Sequence, residues 1–167
     1  MKIRILAVGK IKEDYFKEAI QEYIKRLSRY LKVEIIEIPD QSIVDNPSDK
    51  EIEITVDVEG EKILRKIKSN EYVILLDLNQ KEFESIQFAV FLQNKFDNFG
   101  ANLTFVIGGS YGLSSAIKER ANDSFSLSKM TFTHQMTRVI FFFFFFRAMK
   151  ILNNEVYHKW NIKNGFI

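Results

Sequence analysis

The sequence predicts a single α/β domain with a largely parallel sheet. Short apolar runs rich in β-branched residues alternate with longer segments whose apolar residues recur at helical spacing. This alternation is typical of consecutive βαβ units. The length of 167 residues lies within the usual range for one domain. Hydrophobic residues make up 46% of the chain, enough to bury a full core, which excludes global disorder.

The first three predicted elements are a strand, a helix and a second strand. Residues 2–8 form a short apolar run followed by Gly9, which predicts a buried strand. Residues 12–30 carry apolar side chains every three or four positions between charged and amide residues, which predicts an amphipathic helix. Residues 33–38 predict the second strand, which Pro39 closes.

The segment 49–68 carries conflicting signals. Ser48 with Glu51 three residues later has the pattern of a capping box, and residues 61–68 have helical spacing. Residues 51–60 instead alternate apolar and polar residues with the period of a strand. We expect a helix at both ends of this segment, and the pattern leaves its middle open.

The second half continues the alternation of strands and helices. Residues 72–78 and 102–107 predict the third and fourth strands, with a helix over 82–98 between them. The remaining predicted elements are a short helix capped by Ser114 or Ser115, a weak strand over 123–128 and a last helix over about 134–152.

Six consecutive phenylalanines, Phe141 to Phe146, lie in the last predicted helix. A helix that is apolar all round is buried on all sides, so the cover must come from the domain core, a second subunit or a membrane. The apolar run between Arg138 and Arg147 is too short for a membrane span, which needs about 20 residues. We favour a buried helix at a homodimer interface, with an artificial or wrongly sequenced segment as the alternative.

Several classes of protein are disfavoured by composition. The absence of cysteine excludes disulfides and thiolate zinc sites, and two histidines alone disfavour a multi-histidine metal site. The N-terminus becomes charged after nine residues and lacks the apolar region of a signal peptide. We therefore expect a cytoplasmic protein that does not enter a membrane.

The net charge of +2 conceals an uneven distribution. Residues 1–32 carry a net charge of +5, residues 129–167 also carry +5, and residues 33–128 carry −8. If the two ends meet in space, they form a basic face suited to a polyanion such as RNA. An ordinary solvated surface is the alternative.

A glycine-rich turn, Gly108 to Gly112, directly follows the fourth predicted strand. Open α/β sheets bind ligands at the carboxyl ends of their strands, which places a candidate site near residues 76–78, 108–112 and 127–132. The turn matches neither GxGxxG nor GxxxxGK[ST], which disfavours a Rossmann dinucleotide site and a P-loop. A tight turn without a ligand is the alternative.

Two further segments are candidates for chemistry. Residues 126–138 are rich in small polar groups and can offer backbone contacts to an adenine ring; there His134 opens the last helix and Arg138 follows one turn later. Three C-terminal residues can stack on a base and hold phosphate, namely Tyr157, His158 and Lys159. For His134 the alternative is a helix cap or an ordinary surface residue, and for the three C-terminal residues it is a frayed tail.

Five blocks together carry a resemblance to a known family. They are MKIRILAVGKIKE at the start, VIGGSYGL at 106–113, SLSKMTFTHQMTRV at 126–139, RA at 147–148 and YHK at 157–159. Their order and spacing resemble the ribosomal RNA large subunit methyltransferase H family of the SPOUT class. The match covers residues 1–159 as one SPOUT methyltransferase domain and leaves residues 160–167 as a C-terminal extension.

The resemblance implies a fold, a reaction and partners. The implied fold is an α/β domain with a C-terminal trefoil knot, and the implied assembly is a homodimer. S-adenosylmethionine is the implied methyl donor, without a metal, and the implied acceptor is N3 of a pseudouridine in the helix 69 loop of 23S rRNA in assembled ribosomes. The alternatives are a SPOUT enzyme acting on another RNA, and a non-catalytic RNA- or ribosome-binding dimer inactivated by the phenylalanine run.

The same resemblance implies roles for individual residues. The implied donor contacts are Leu76, Gly108, Leu127, Ser128, Lys129, Met130, Thr131 and Phe132. The implied catalytic residues are His134, Arg138, Tyr157 and His158, and the implied RNA contacts are Arg147 and Lys159. Family members read approximately LIEQIYRA where this chain reads FFFFFFRA, so Phe143, Phe144 and Phe146 stand in place of polar residues.

Overall fold

Five parallel strands form the centre of the fold in the computed structural model, which describes residues 1–100 and 102–155. They are β1 (Lys2–Val8), β2 (Lys32–Ile38), β3 (Tyr72–Leu76), β4 (Leu103–Ile107) and β5 (Asp123–Phe125). Their order in the sheet is β2-β1-β4-β3-β5, and every pairing is parallel. The predicted α/β domain with a largely parallel sheet is confirmed for the described residues.

Helices cover both faces of the sheet. They are α1 (Asp14–Leu27), α2 (Asp49–Leu64), α3 (Ser85–Phe99), α4 (Ser115–Arg120) and α5 (His134–Leu152). One core joins α1, α3 and α5 to residues such as Ile5 and Phe105, and the other joins α2 and α4 to residues such as Leu6 and Val106. Neighbouring strand residues therefore feed opposite cores, as the two-residue period of a strand requires.

The strand register brings the carboxyl ends of the strands to one edge. Val8 pairs with Ile38, and Leu76 pairs with both Ile107 and Phe125. The loops that follow β1, β3, β4 and β5 consequently emerge side by side, so motifs that are far apart in sequence meet at this edge.

The middle of the segment 51–60, which the sequence pattern left open, is continuous helix within α2. Both bonds of the capping box form: Ser48 Oγ accepts from the Glu51 amide, and Glu51 Oε2 accepts from the Ser48 amide at 2.8 Å. The buried positions Thr55, Glu59 and Ile63 recur every four residues, as on one face of a helix. Two of them are polar, so the pattern of apolar residues alone did not show this face.

Other element boundaries differ from the predicted ones by a few residues. The strand predicted over 72–78 ends at Leu76, and the weak strand predicted over 123–128 ends at Phe125. The helix predicted from residue 82 begins at Ser85, because Glu84 and Gln87 form its capping bonds. The last helix spans His134–Leu152, as predicted.

The protein's own core buries most of the phenylalanine run. Phe141, Phe142, Phe145 and Phe146 are buried in the described chain, and Phe105 packs against this group. The domain core therefore covers these four rings, and a homodimer interface on this helix stays a prediction. Phe143 and Phe144 are half-buried. Among residues 1–100 and 102–155, no helix is both long and apolar enough to cross a membrane.

Candidate functional site

A cavity of about 940 Å³ opens at the carboxyl edge of the sheet. Its walls are the ends of β3 and β4, the loop of residues 126–133 and the first turn of α5. Ligand sites that enclose a small molecule typically measure about 300–1,000 Å³. We refer to this space as the donor cavity.

The structure brings most of the predicted donor contacts together. Those that line the donor cavity are Leu76, Gly108, Leu127, Ser128, Met130, Thr131 and Phe132. Lys129 belongs to the same loop but is exposed and does not line the cavity. These residues lie on three separate segments, which meet at the carboxyl edge of the sheet, where the sequence placed the candidate site.

Glycine is required in the turn after β4. A Cβ on Gly108 would lie 2.8 Å from the carbonyl oxygen of Gly112, and Gly112 itself has a φ of +89°. The amide of Gly112 donates to the carbonyl of Gly109 at 3.2 Å. The turn is consequently tight and presents backbone, with no side chain at these positions, to the donor cavity.

Short-range hydrogen bonds hold the loop of residues 126–133. Ser126 Oγ donates to the carbonyl of Ser128 at 2.8 Å, and the amide of Met130 donates to Ser128 Oγ at 3.0 Å. Thr133 caps α5 by accepting from the amide of Met136 at 3.3 Å. The loop is thereby shaped by its own serines and threonine, with its backbone along the cavity wall.

His134 is the first residue of α5 and lines the donor cavity. It is half-buried and lies beside Gly9, the residue that follows β1. A Cβ on Gly9 would be only 3.4 Å from His134 Nε2. Burial lowers the pKa of His134, the charge of Arg138 lowers it further, and Asp40 opposes both. The imidazole is therefore mainly neutral at pH 7.

Arg138, an implied catalytic residue, does not line the donor cavity, and its catalytic role stays a prediction. It is 2% exposed, and its guanidinium pairs with Glu37 Oε1 at 2.7 Å. It also donates to the carbonyls of Val8, at 2.9 Å, and Gly9. Burial lowers its pKa against the opposing effect of Glu37. Arg138 thus attaches the first turns of α5 to the ends of β1 and β2 from behind the site.

The remaining predicted site residues are dispersed or undescribed. Arg147 is half-buried on α5 and does not line the donor cavity. Tyr157, His158 and Lys159 lie outside the described residues. Their catalytic and RNA-binding roles stay predictions.

Sequence reasoning missed one acidic residue beside the site. Glu59 lies on the inner face of α2, is 6% exposed and lines a second pocket that also touches His134. Burial raises its pKa, with Asp40 acting in the same direction and the Gln41 amide and Lys62 opposing. Only a helix over residues 51–60 places Glu59 one turn after the buried Thr55. The sequence pattern left the structure of this segment open, so it did not identify Glu59 as buried.

Comparison with known proteins adds the family. The model of a family described as "Predicted SPOUT methyltransferase" matches residues 1–158. The "Ribosomal RNA large subunit methyltransferase H" of Clostridium botulinum strain Eklund 17B is 50% identical over 159 residues, which cover 95% of this chain and all of that protein. The chain belongs to this family of SPOUT methyltransferases.

Other relatives in the methyltransferase H family match over the same length. The Clostridium tetani protein is 49% identical, and that of Clostridium beijerinckii is 45% identical, each over 159 residues and each matched along its whole length. The resemblance seen in the five sequence blocks is thus confirmed. As a SPOUT methyltransferase, the protein places its glycine turn and the loop of residues 126–133 around one cavity.

Proposed function

We propose that the protein transfers a methyl group from S-adenosylmethionine to N3 of a pseudouridine in the helix 69 loop of 23S rRNA. The acceptor is the assembled ribosome in the cytoplasm. The observation that carries this proposal is the donor cavity, which gathers seven of the eight expected donor contacts. It occurs in a chain about half identical to relatives named as large-subunit rRNA methyltransferases.

The residues of the donor cavity fit S-adenosylmethionine. The volume of about 940 Å³ accommodates a nucleoside with an amino-acid arm. The turn at Gly108 lets a ligand approach the backbone closely, and the backbone along Leu127 to Phe132 offers amides and carbonyls to an adenine ring. When bound, this donor supplies a methyl group already activated by a positively charged sulfonium.

The protein's residues align the acceptor base with the methyl group and provide a base for the proton that N3 loses. The acceptor N3 must lose its proton and lie in line with the methyl group. His134, which is neutral at pH 7 and lies in the cavity wall, is one candidate for the base that accepts this proton. His158 is the other candidate. Arg138 and Glu37 keep the first turns of α5 in place, which maintains the cavity wall.

The proposal includes a homodimer and a C-terminal trefoil knot, both on the strength of the family resemblance. The tail residues Tyr157 and His158 complete the active site, with Lys159 and Arg147 contacting rRNA. We expect Tyr157→Ala and His158→Ala to retain donor binding, measured by calorimetry, and to lose methyl transfer. Full activity in both variants would remove the tail from the mechanism.

The decisive experiment uses ribosomes that lack the N3 methyl group. Labelled methyl is transferred from S-adenosylmethionine, and the modified nucleotide is mapped by reverse transcription and mass spectrometry. Label at the helix 69 pseudouridine supports the proposal. Label on another RNA would indicate a SPOUT enzyme with a different substrate, and ribosome binding by a folded protein without transfer would indicate a non-catalytic binder.

A further inference from the structure

A second pocket of about 90 Å³ adjoins the donor cavity. Gly109, Ser110 and His134 line both spaces, so the two share a wall. A single water needs about 10–15 Å³ of such volume. The smaller space therefore admits one ring-sized group of a ligand and is far too small for a whole nucleotide. We refer to it as the Glu59 pocket.

The carboxyl group of Glu59 has one oxygen available in this pocket. Oε1 accepts a hydrogen bond from the Gln41 amide at 2.9 Å. Oε2 packs on the glycine turn, 3.1 Å from the point where a Cβ on Gly109 would sit. No hydrogen bond reaches Oε2 from residues 1–100 or 102–155. This oxygen is not among the fully enclosed side-chain atoms that lack a partner, so it remains open to the pocket and can accept an N–H group of a ligand.

None of the neighbouring charged groups described below donates a hydrogen bond to Glu59 Oε2, so this oxygen remains a free acceptor. Lys62 Nζ donates elsewhere, to the carbonyl of Pro39 at 3.3 Å and to Gln41 Oε1 at 3.4 Å. Asp40 contributes a second carboxylate to the pocket lining. The Glu59 pocket therefore favours a group that donates hydrogen bonds and disfavours an anion.

We propose that Glu59 Oε2 accepts the N1–H of the target pseudouridine and thereby selects this base over uridine. The inference rests on the proposed function. Pseudouridine is joined to its ribose through C5, which leaves N1–H as a free donor. Uridine presents a C–H at the equivalent ring position and leaves the buried carboxylate without its partner. Sites built to bond a substrate N–H reject analogues that lack it.

The shared wall connects this contact to the reaction. One carbon atom separates N1 from N3 in the ring. A base held at Glu59 by N1–H therefore keeps N3 within a ring's width of Gly109 and His134, which also line the donor cavity. Glu59 is a specificity-determining residue in this arrangement, and the atom that receives the methyl group is the neighbouring nitrogen.

The test compares two kinds of ribosome, with pseudouridine or uridine at the target position of helix 69. The uridine form comes from cells that lack the pseudouridine synthase. We expect the wild-type protein to favour pseudouridine at least about tenfold in kcat/KM. Glu59→Gln should lower that ratio at least about tenfold, because its amide places a donor against N1–H. Glu61→Gln, which changes an exposed carboxylate on the same helix, should leave the ratio unchanged.

Two results would overturn the inference while the proposed function stands. One is a wild-type protein that methylates both ribosomes equally well; the other is a Glu59→Gln variant that keeps the wild-type ratio or loses transfer to both ribosomes equally. Wild-type protein that binds S-adenosylmethionine and methylates neither ribosome would overturn the proposed function and this inference with it. Calorimetry of donor binding and thermal unfolding identify a variant that fails to fold, in which case Glu59→Asp, whose shorter arm withdraws the acceptor, repeats the test.

Discussion

Arg138 illustrates, at the scale of one residue, how a charge near a site can act on the protein itself. Two of its guanidinium nitrogens, Nη1 and Nη2, donate to Glu37 and to two carbonyls at the end of β1, while Nε has no partner among the described residues. The side chain is nearly inaccessible to solvent. A phosphate could reach it only after these bonds break. These contacts position the first turns of α5, and with them the imidazole of His134.

We expect Arg138→Ala to lower the free energy of unfolding by about 2–4 kcal/mol, because it removes the donor to two buried carbonyls and the ion pair with Glu37. Urea denaturation measures this change. Arg65→Ala is the matched control, since Arg65 is exposed and its pair with Glu61 spans 3.7 Å on the surface of α2. An Arg138→Ala protein with wild-type stability and no methyl transfer would show that Arg138 acts in the reaction and not in holding α5.

The lowered pKa of His134 makes stability depend on pH. The unfolded chain binds a proton on this residue near its ordinary pKa of 6.5, and the folded protein binds it only at lower pH. The stability from neutral His134 is present above pH 6.5 and is lost as the pH falls through the folded pKa. We expect His134→Gln to flatten the fall in unfolding free energy between about pH 7 and 5.

Urea denaturation across this pH range tests the prediction, with pH 7–8 as the internal reference, where the two curves should run parallel. Equal slopes in both proteins below pH 6.5 would show that His134 titrates in the folded state as it does in the unfolded chain.

Motifs identified residues of the donor cavity, and they failed where burial decides the role. Gly108 follows one predicted strand, and Leu127 to Phe132 lie at and beyond the end of another, so the topology of a parallel sheet placed them at one edge. The burial of Arg138 and the pocket position of Glu59 depend on which side chains pack against α5 and α2. No local pattern of charge or hydropathy contains that information.

At the scale of elements, α5 shows how one helix can hold six consecutive aromatic rings. Phe105 of β4 packs against Phe141 and Phe145, with ring centroids 5.2 and 5.7 Å away. Phe143 lies on a different side, where its ring meets Tyr23 at 5.9 Å. The rings thus divide between the sheet-facing core and a half-buried flank.

We expect the cost of removing a ring to follow this division. Phe145→Ala should lower the free energy of unfolding by about 3–5 kcal/mol, because it opens a cavity in the core. Phe143→Ala is the matched control on the same helix and should cost clearly less, since its ring is only half-buried. Equal losses in urea denaturation would mean that Phe143 is covered in solution, with a second subunit as the source of that cover.

The α2 helix explains why an element could be predicted at its ends and not in its middle. The capping box of Ser48 and Glu51 is a local signal, and it was interpreted correctly. The central residues alternate in polarity because the buried face includes Thr55, Glu59 and Gly60. Gly60 lies where α2 meets Ser114, the cap of α4. The burial of this position therefore depends on a contact with a residue distant in sequence.

At the scale of the whole molecule, the structure brings the two basic ends together. The segment at the start of α1 meets α5 through the Lys12 amide and Gln135 Oε1, 2.8 Å apart. At the other end of the pair, Tyr30 donates to Glu155 at 2.6 Å. Residues 1–32 and 129–155 therefore pack together along α1 and α5, and only the end of this pair that carries Lys12 and Gln135 lies beside the donor cavity. A basic face that binds RNA stays a prediction.

This arrangement predicts how the protein binds its polyanion. Lys12 and Lys129 are exposed on loops next to the donor cavity. We expect the double variant Lys12→Glu and Lys129→Glu to weaken binding to ribosomes. The slope of log affinity against log salt should fall by about 1 for each phosphate that the protein no longer neutralises. Filter binding at several salt concentrations measures both quantities.

Lys50→Glu provides the control for that experiment, because Lys50 is also exposed but lies in the first turn of α2, away from the residues that line the cavity. Its affinity and salt slope should stay close to those of the wild type, since one remote charge is screened beyond about 10 Å at 0.1 M salt. If Lys50→Glu weakens binding as much as the double variant, net charge alone drives association. Lys12 and Lys129 beside the cavity would then have no part in orienting the rRNA.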